Sequence, residues 1–260
     1  MIGIIGGSGL YDIEGVNLRE VRQIMTPYGS PSDAYRIFDF SGKDVIFLPR
    51  HGSSHSIPPH KINYKANIWG FKELGAERII SLGASGGIRP AMVPGSIVLL
   101  DQIIDLTSGR DTTYYHGEEG VIHIDFTEPY CPDLREALVK GGIKSGISLH
   151  KSGTYVCVNG PRLETRAEIK SFSLLGADVV GMTAMPEASL AREAELCYAG
   201  VSVVTNFAAG MSGKKLTVTE VINTMNISAI HLKTLLKETF HLIPAKRACA
   251  CKESMREAKV

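Results

Sequence analysis

The stretch Val179-Val180-Gly181-Met182-Thr183-Ala184-Met185-Pro186-Glu187-Ala188 ends a short apolar run in a hydroxyl residue and then opens what reads as a helix over Glu187 to Glu195. Proline is tolerated in the first turn of a helix, where backbone N–H groups have no partner within the helix. Those N–H groups and the helix dipole favour an anion at the junction. A single strand-to-helix junction is ordinarily just a turn, but here the pattern recurs. Other apolar runs end in Gly6-Gly7-Ser8-Gly9, Pro49-Arg50-His51-Gly52, Gly83-Ala84-Ser85-Gly86-Gly87, Asn159-Gly160-Pro161-Arg162-Leu163-Glu164 and Asn206-Phe207-Ala208-Ala209-Gly210. Glycine lets a ligand approach the backbone and leaves N–H groups free to point at it. Ser8, Arg50, His51, the Ala84 amide and Thr183 together suit a free oxyanion. Arginine offers a planar fork for bidentate contact with phosphate, and hydroxyls and amides take the remaining oxygens. Taken singly, Arg50 reads as well as a strand-end residue in a surface salt bridge, and His51 as a structural histidine. Neither nucleotide fingerprint applies, because there is no Gly-Lys-Ser/Thr and no Gly-x-Gly-x-x-Gly in register.

These residues need elements to hold them. Short apolar, β-branched runs mark the buried strands of a parallel sheet: Ile2–Ile5, Asp44–Leu48, Arg78–Leu82, Ser96–Leu100, Thr154–Val158, Asp178–Val180 and Val201–Thr205. Helical patterns fall between many of them, over Asn63–Glu73, Pro132–Gly142, Arg162–Leu175, Glu187–Leu196 and Thr219–Thr239. This alternation predicts an α/β fold with a mainly parallel sheet, in which ligands bind beyond the carboxyl ends of the strands. No linker or internal repeat divides the chain. One domain over residues 1–245 and a C-terminal tail over residues 246–260 are expected.

The 260 residues carry a formal net charge of +1, with 44% hydrophobic and 21% charged residues. Such a balance argues against nucleic acid or a membrane surface as a partner held by bulk electrostatics. No apolar run approaches the roughly 20 residues that span a bilayer, and the N-terminus lacks the basic segment of a secretory signal. A cytoplasmic location is expected. The five cysteines match no disulfide scaffold and no zinc spacing. Cys249-Ala250-Cys251 admits two readings: an unstructured tail with incidental thiols, or two close thiols able to form a strained, redox-active disulfide.

The longest motifs carry a resemblance. IIGGSGLY, LPRHGSSHSIPPHKINYKANIW, SGGIRPAMVPGSIVLLDQIID, HIDFTEPYC, NGPRLETRAE, GADVVGMTAMPEASLAREAELCYA and TNFAAG, in this order, resemble the trimeric nucleoside phosphorylase family of methylthioadenosine phosphorylases and 6-oxopurine nucleoside phosphorylases. The resemblance implies a mixed sheet curled into a distorted barrel flanked by helices, with some strands antiparallel. It also implies a homotrimer or dimer of trimers with sites near subunit interfaces. Carried onto matching positions, it puts phosphate at Ser8, Arg50, His51, Gly83, Ala84 and Thr183, and Met182 under the ribose. His123 would reach the 5′ end of a nucleoside in a neighbouring subunit. The chain departs from the family at Gly83, where relatives carry Thr or Asn, so a side-chain contact is absent while the Ala84 backbone contact survives.

Two positions select the base. Glu164 and Asn206 match the oxopurine branch, where the adenine branch carries Ser and Asp; a further adenine-branch Asp is replaced by Ala208, beside Phe207 in the base pocket. An ionised Glu accepts the N1–H of hypoxanthine or guanine, whereas adenine offers only an acceptor there. A buried mismatch of this type discriminates by up to about 10⁴-fold. Asn206 donates toward O6 and meets N7. Glu164 also reads as a helix-start carboxylate placed for the dipole. Where purine nucleoside phosphorylases bond the 5′-hydroxyl with a His, this chain aligns Val218, which suits a 5′-methylthio group. Phosphorolysis of inosine, guanosine or methylthioinosine is therefore expected, with Asn206 and Glu164 as the catalytic pair. The expected co-substrate is inorganic phosphate, with no metal or other cofactor. The alternative is a methylthioadenosine phosphorylase that releases adenine.

Overall fold

The computed structural model describes residues 1–7, 17–40, 42–118, 120–213 and 217–260. Strand β1 (Ile2–Gly6) is buried at every position and pairs in parallel on both sides, with β4 (Lys43–Pro49) and β5 (Arg78–Gly87). Burial on both faces is why these segments read as unbroken apolar runs. Outside β4, strands β3 (Tyr35–Phe40) and β2 (Asn17–Arg22) follow antiparallel. Sequence reasoning misses both, and for β2 the cause is plain: every residue is exposed, and Arg19 pairs with Asp39 and Asp44 instead of contributing to a core.

The other half of the sheet curls. Strand β5 pairs in parallel with β10 (Cys197–Phe207) along its whole length, but meets β9 (Val179–Gly181) only at Gly86 and Gly87, antiparallel. Next to β9 comes β8 (Thr154–Cys157), and then β7 (Gln102–Asp105), both in parallel register. β6 (Ile97–Leu99), just upstream of β7, pairs antiparallel with β10. Because β6 and β7 are consecutive, they carry the chain from β10 across to β8 and close a ring of β5, β10, β6/β7, β8 and β9. This is the mixed, distorted barrel that the resemblance implied.

Helices cover both faces. α1 (Tyr64–Glu73) and α4 (Ala184–Glu193) bury Ile68, Phe71 and Leu190 against Ile5 and Leu48. α2 (Pro132–Ser145) and α5 (Val218–Leu242) bury Leu138, Leu232 and Leu236 against Ile4 and Phe47 on the opposite face. α3 (Arg166–Leu174) sets Ile169 and Phe172 on Val156 and Val180. The caps are local: Asn63 accepts the Ala66 N–H, and Thr217 accepts the Glu220 N–H. None of the described helices is long and apolar enough to cross a membrane.

Two local expectations need correction. Gly83–Gly87 and Asn206–Phe207, expected as loops beyond strand ends, continue β5 and β10 as mutually paired strand. Close approach explains Gly87, where a Cβ would stand 2.0 Å from the Met92 carbonyl oxygen. The regular part of α4 starts after Met185, whose φ of −116° and ψ of 137° are extended, in keeping with the helix expected from Glu187. Finally, the segment from Cys249 onward is not an unstructured tail. A 3-10 turn over Ala250–Glu253 folds against the body, leaving Cys249 7% and Cys251 2% exposed.

Candidate active site

The sheet opens where β5 parts from one neighbour before meeting the next. β1 follows β5 only as far as Ser81, and β9 joins it only from Gly86, so among the described residues one edge of Leu82–Ser85 has no ladder partner. In open α/β sheets such divergence points are where ligands bind. Gly83 and Ala84 lie on this open edge. The Thr183 hydroxyl faces it, 3.9 Å from where a Gly83 Cβ would lie. Thr183 stands at the N-cap of α4, and its own N–H donates to the Tyr155 hydroxyl at 3.4 Å. Its hydroxyl makes no capping bond.

Arg50 borders the same gap. It follows β4, and its N–H donates to the Gly6 carbonyl at the end of β1. Its guanidinium is only 1% exposed and is held by Glu187: Nε donates to Oε2 at 2.7 Å and Nη2 to Oε1 at 2.9 Å. Nη2 also reaches Ser81 Oγ at 2.7 Å and the Ile5 carbonyl at 3.3 Å, and Nη1 donates to the Leu82 carbonyl at 3.0 Å. Glu187 in turn accepts from the Ser81 and Tyr198 hydroxyls, both at 2.8 Å. Burial alone would lower the Arg50 pKa; the Glu187 carboxylate outweighs it and raises the pKa above its ordinary value. The bidentate fork expected for phosphate is thus spent on Glu187. Among the described residues, these partners leave one N–H of Nη1 for an anion. Glu187, Ser81 and Tyr198 were not singled out for this role. The usable signal was a carboxylate inside the apolar run MPEASLA, where a charge survives only if paired.

His51 donates from Nδ1 to the Ile57 carbonyl at 2.8 Å, which leaves Nε2 as a lone pair. Burial, and then the Arg50 charge, push its pKa down to about 4. It is neutral near pH 7 and presents an acceptor to a protonated phosphate oxygen.

The residues expected to select the base lie just ahead of α3 and at the end of β10. Glu164 precedes α3, but it does not cap that helix. Thr165 and Glu168 form the capping box, and Arg162 binds Glu168 at 2.7 and 2.9 Å. Glu164 is half-buried, and its pKa is raised, first by burial and then by repulsion from Glu168. Asn206 is 8% exposed: its Oδ1 accepts from Thr205 Oγ1 at 2.9 Å and its Nδ2 donates to the Phe207 carbonyl at 2.8 Å. Each end of the amide keeps one further hydrogen-bonding capacity. The chain beyond β10 then runs onto the start of α3. Ala208 is buried against Ile169 and Phe172, and a Cβ on Gly210 would meet Arg166 at 2.6 Å.

Met182 packs on the backbone of the loop carrying Glu164. Gly160, at φ +61°, leaves no room for a side chain, since a Cβ would stand 2.3 Å from the Met182 sulfur. Arg110, also not foreseen, clamps this loop: it donates to the Val158 and Asn159 carbonyls at 3.3 and 3.1 Å, and to the Met185 carbonyl. His123 is exposed and does not join the opening of its own chain; its N–H pairs with the Ala258 carbonyl. Ser8 and the Val218 side chain lie outside the described residues.

Over residues 1–241 the chain matches the model of the family described as Phosphorylase superfamily. It is 51% identical to the 6-oxopurine nucleoside phosphorylase of Pyrococcus furiosus, over 99% of this chain and 98% of that protein. It is 52% identical to the probable S-methyl-5′-thioinosine phosphorylase of Thermodesulfovibrio yellowstonii, over 99% of this chain and 96% of that one. Among solved structures, methylthioadenosine phosphorylase from Schistosoma mansoni in complex with adenine matches with a TM-score of 0.94 at 35% identity, covering 99% of this chain and 98% of that chain. The chain in which this strand divergence opens Gly83 and Ala84 beside Thr183 belongs to the phosphorylase superfamily.

Proposed function

We propose that this protein cleaves the N-glycosidic bond of 6-oxopurine nucleosides with inorganic phosphate. The products are the free purine and ribose 1-phosphate or its 5-methylthio analogue. The observation that carries the reading is the state of Glu164. It is half-buried with a raised pKa, and the capping role that would otherwise explain it belongs to Glu168. When ionised, a carboxylate left outside the α3 cap accepts an N1–H and opposes adenine, whose N1 is an acceptor, and such a donor offsets the burial that raises its pKa. The two relatives at about half identity carry oxopurine and thioinosine names, which supports this branch. The alternative is adenine release from methylthioadenosine, which the adenine-bound structural neighbour supports at lower identity.

In this account phosphate sits at the open edge of β5, with Ser8, the Ala84 amide, Thr183 and the remaining Nη1 donor of Arg50 around it. Glu187 keeps the guanidinium fixed, and His51 accepts from the protonated phosphate oxygen. Phosphate attacks the anomeric carbon as the purine leaves, and its negative charge faces the oxocarbenium-like centre. Asn206 and Glu164 stabilise the electrons that move into the purine. Preorganised groups of this kind contribute about 3 kcal/mol each to transition-state binding. The chemistry needs no metal and no cofactor besides phosphate. The resemblance assigns an apolar 5′ contact to Val218, and His123 approaches the 5′ end from a neighbouring subunit of a homotrimer or dimer of trimers in the cytoplasm.

The direct test is phosphorus NMR of the purified protein with inosine or methylthioinosine and phosphate. A sugar 1-phosphate resonance that grows with free hypoxanthine is the expected result. Hypoxanthine released without phosphate consumption would make the protein a nucleosidase and refute the phosphate site.

A further inference from the structure

On the α2/α5 side of the sheet, opposite the layer that holds Glu187, four cysteine side chains converge. Cys131 directly precedes α2, Cys197 opens β10, and Cys249 and Cys251 come from the folded C-terminal segment. All four are buried, and their sulfurs all lie within 4.8 Å of one another. Cys249 Sγ is 3.3 Å from Cys197 Sγ and 3.6 Å from Cys131 Sγ. Cys157, the remaining cysteine, is buried elsewhere, against Met185.

We infer that Cys131, Cys197, Cys249 and Cys251 form a tetrathiolate site for a thiophilic divalent cation of the zinc class. Buried cysteines ordinarily behave as small apolar residues and disperse through a core, as Cys157 does. Four sulfurs from three separate chain segments focused on one point are a different arrangement. A tetrahedral Zn–S₄ centre with bonds of about 2.3 Å places its sulfurs about 3.8 Å apart, and the 3.3 and 3.6 Å contacts lie near that spacing. Covalent S–S bonds of about 2.05 Å would require sulfurs more than 1 Å closer than the 3.3 Å contact. Thiolate-only donor sets select zinc or iron over oxygen-loving ions.

Binding replaces four thiol protons, which pass to solvent, and leaves the centre with a formal charge of −2. The opening turn of α2 starts beside Cys131, and its Asp133 carboxylate accepts the Cys249 N–H at 3.1 Å, which holds the C-terminal segment against the cluster. Linear spacing hides this site, because Cys-Ala-Cys supplies only half of it and its other two ligands stand at the mouth of a helix and the start of a strand. The ion would fasten the last segment of the chain to the central strand. Beyond the cluster, that segment pairs with residues 121–123, through Val260 to Val121 and His123 to Ala258. The inference does not depend on which nucleoside the protein cleaves.

The test uses the full chain, purified and held under a phosphine reductant. Metal content by mass spectrometry should give one zinc per chain. Titration of the metal-free reduced protein with Co²⁺ should develop, at one equivalent, thiolate-to-cobalt charge transfer with the intense ligand-field bands of tetrahedral cobalt. Cys249→Ser combined with Cys251→Ser should abolish both signals while phosphorolysis at moderate temperature is retained. If that variant does not fold, the wild-type cobalt spectrum still decides. Reduced protein that binds no cobalt, or gives an octahedral oxygen-type spectrum, overturns the proposal. So does an intact mass lower by four hydrogens in protein never exposed to oxidant, which would assign the cluster to two disulfides.

Discussion

Arg50 and Glu187, 137 positions apart in sequence, meet through two hydrogen bonds of 2.7 and 2.9 Å with both side chains closed to solvent. The pair ties the end of β4 to the start of α4, the two elements that flank the open edge of β5. Removing one partner from a buried pair leaves a charge with no compensation, at a cost of about 3–5 kcal/mol. Glu187→Ala should therefore destabilise the fold by that amount in denaturant titration. A loss below about 1 kcal/mol would show that the guanidinium finds water or another acceptor.

Thr183 tests the anion site without disturbing that pair. Its hydroxyl faces Gly83 and makes no capping bond to α4. A hydrogen bond to a charged ligand contributes about 1.5–3 kcal/mol. Thr183→Val should raise the phosphate KM by about tenfold to a hundredfold and leave the nucleoside KM nearly unchanged. Steady-state kinetics with each substrate varied in turn checks this. An unchanged phosphate KM would remove Thr183 from the site.

Much of this arrangement was legible in the chain. The buried strands announce themselves as apolar runs, and the residues after them mark the opening. What stayed hidden depends on pairing across space. β2 has no buried face, so no hydrophobic period reveals it. Gly83–Gly87 read as a loop because glycine is disfavoured in strands unless something approaches closely, as the Met92 carbonyl does at Gly87. The partner of Arg50 was visible as Glu187 in an apolar run, but only the fold shows that it takes the bidentate face expected for phosphate. The four-cysteine cluster joins three segments that no linear spacing links.

His51 has a pKa pushed down to about 4 by burial and then by Arg50, against an ordinary value of 6.5. The unfolded chain therefore binds a proton more readily than the folded one. The stability this group contributes is fully present above about pH 6.5 and is lost as pH falls toward 4. His51→Gln should flatten that limb, so that the variant loses less stability than the wild type between about pH 7 and about pH 5. Denaturant midpoints at the two pH values provide the check; equal losses would mean that His51 is not held neutral.

Glu164 has the opposite signature. Burial raises its pKa, so its ionisation costs the folded state stability above the folded pKa, and the cost disappears at pH values below the ordinary carboxylate range. Glu164→Gln should stabilise the protein at neutral pH while lowering kcat/KM for inosine, the compromise expected of a functional carboxylate. Thermal denaturation together with inosine kinetics reads both. A variant that is less stable and equally active would return Glu164 to a structural role.

The central claim is that a phosphate-dependent site selects a 6-oxopurine through Glu164 and Asn206. Base release from inosine, methylthioinosine, adenosine and methylthioadenosine, each with and without phosphate, tests it most directly. The account predicts phosphate-dependent release of hypoxanthine from the first two, with little adenine from the others. It also predicts a rise in the adenine-to-hypoxanthine ratio when Glu164→Ser is combined with Asn206→Asp. Preferred release of adenine by the wild-type protein would contradict the roles given to both residues.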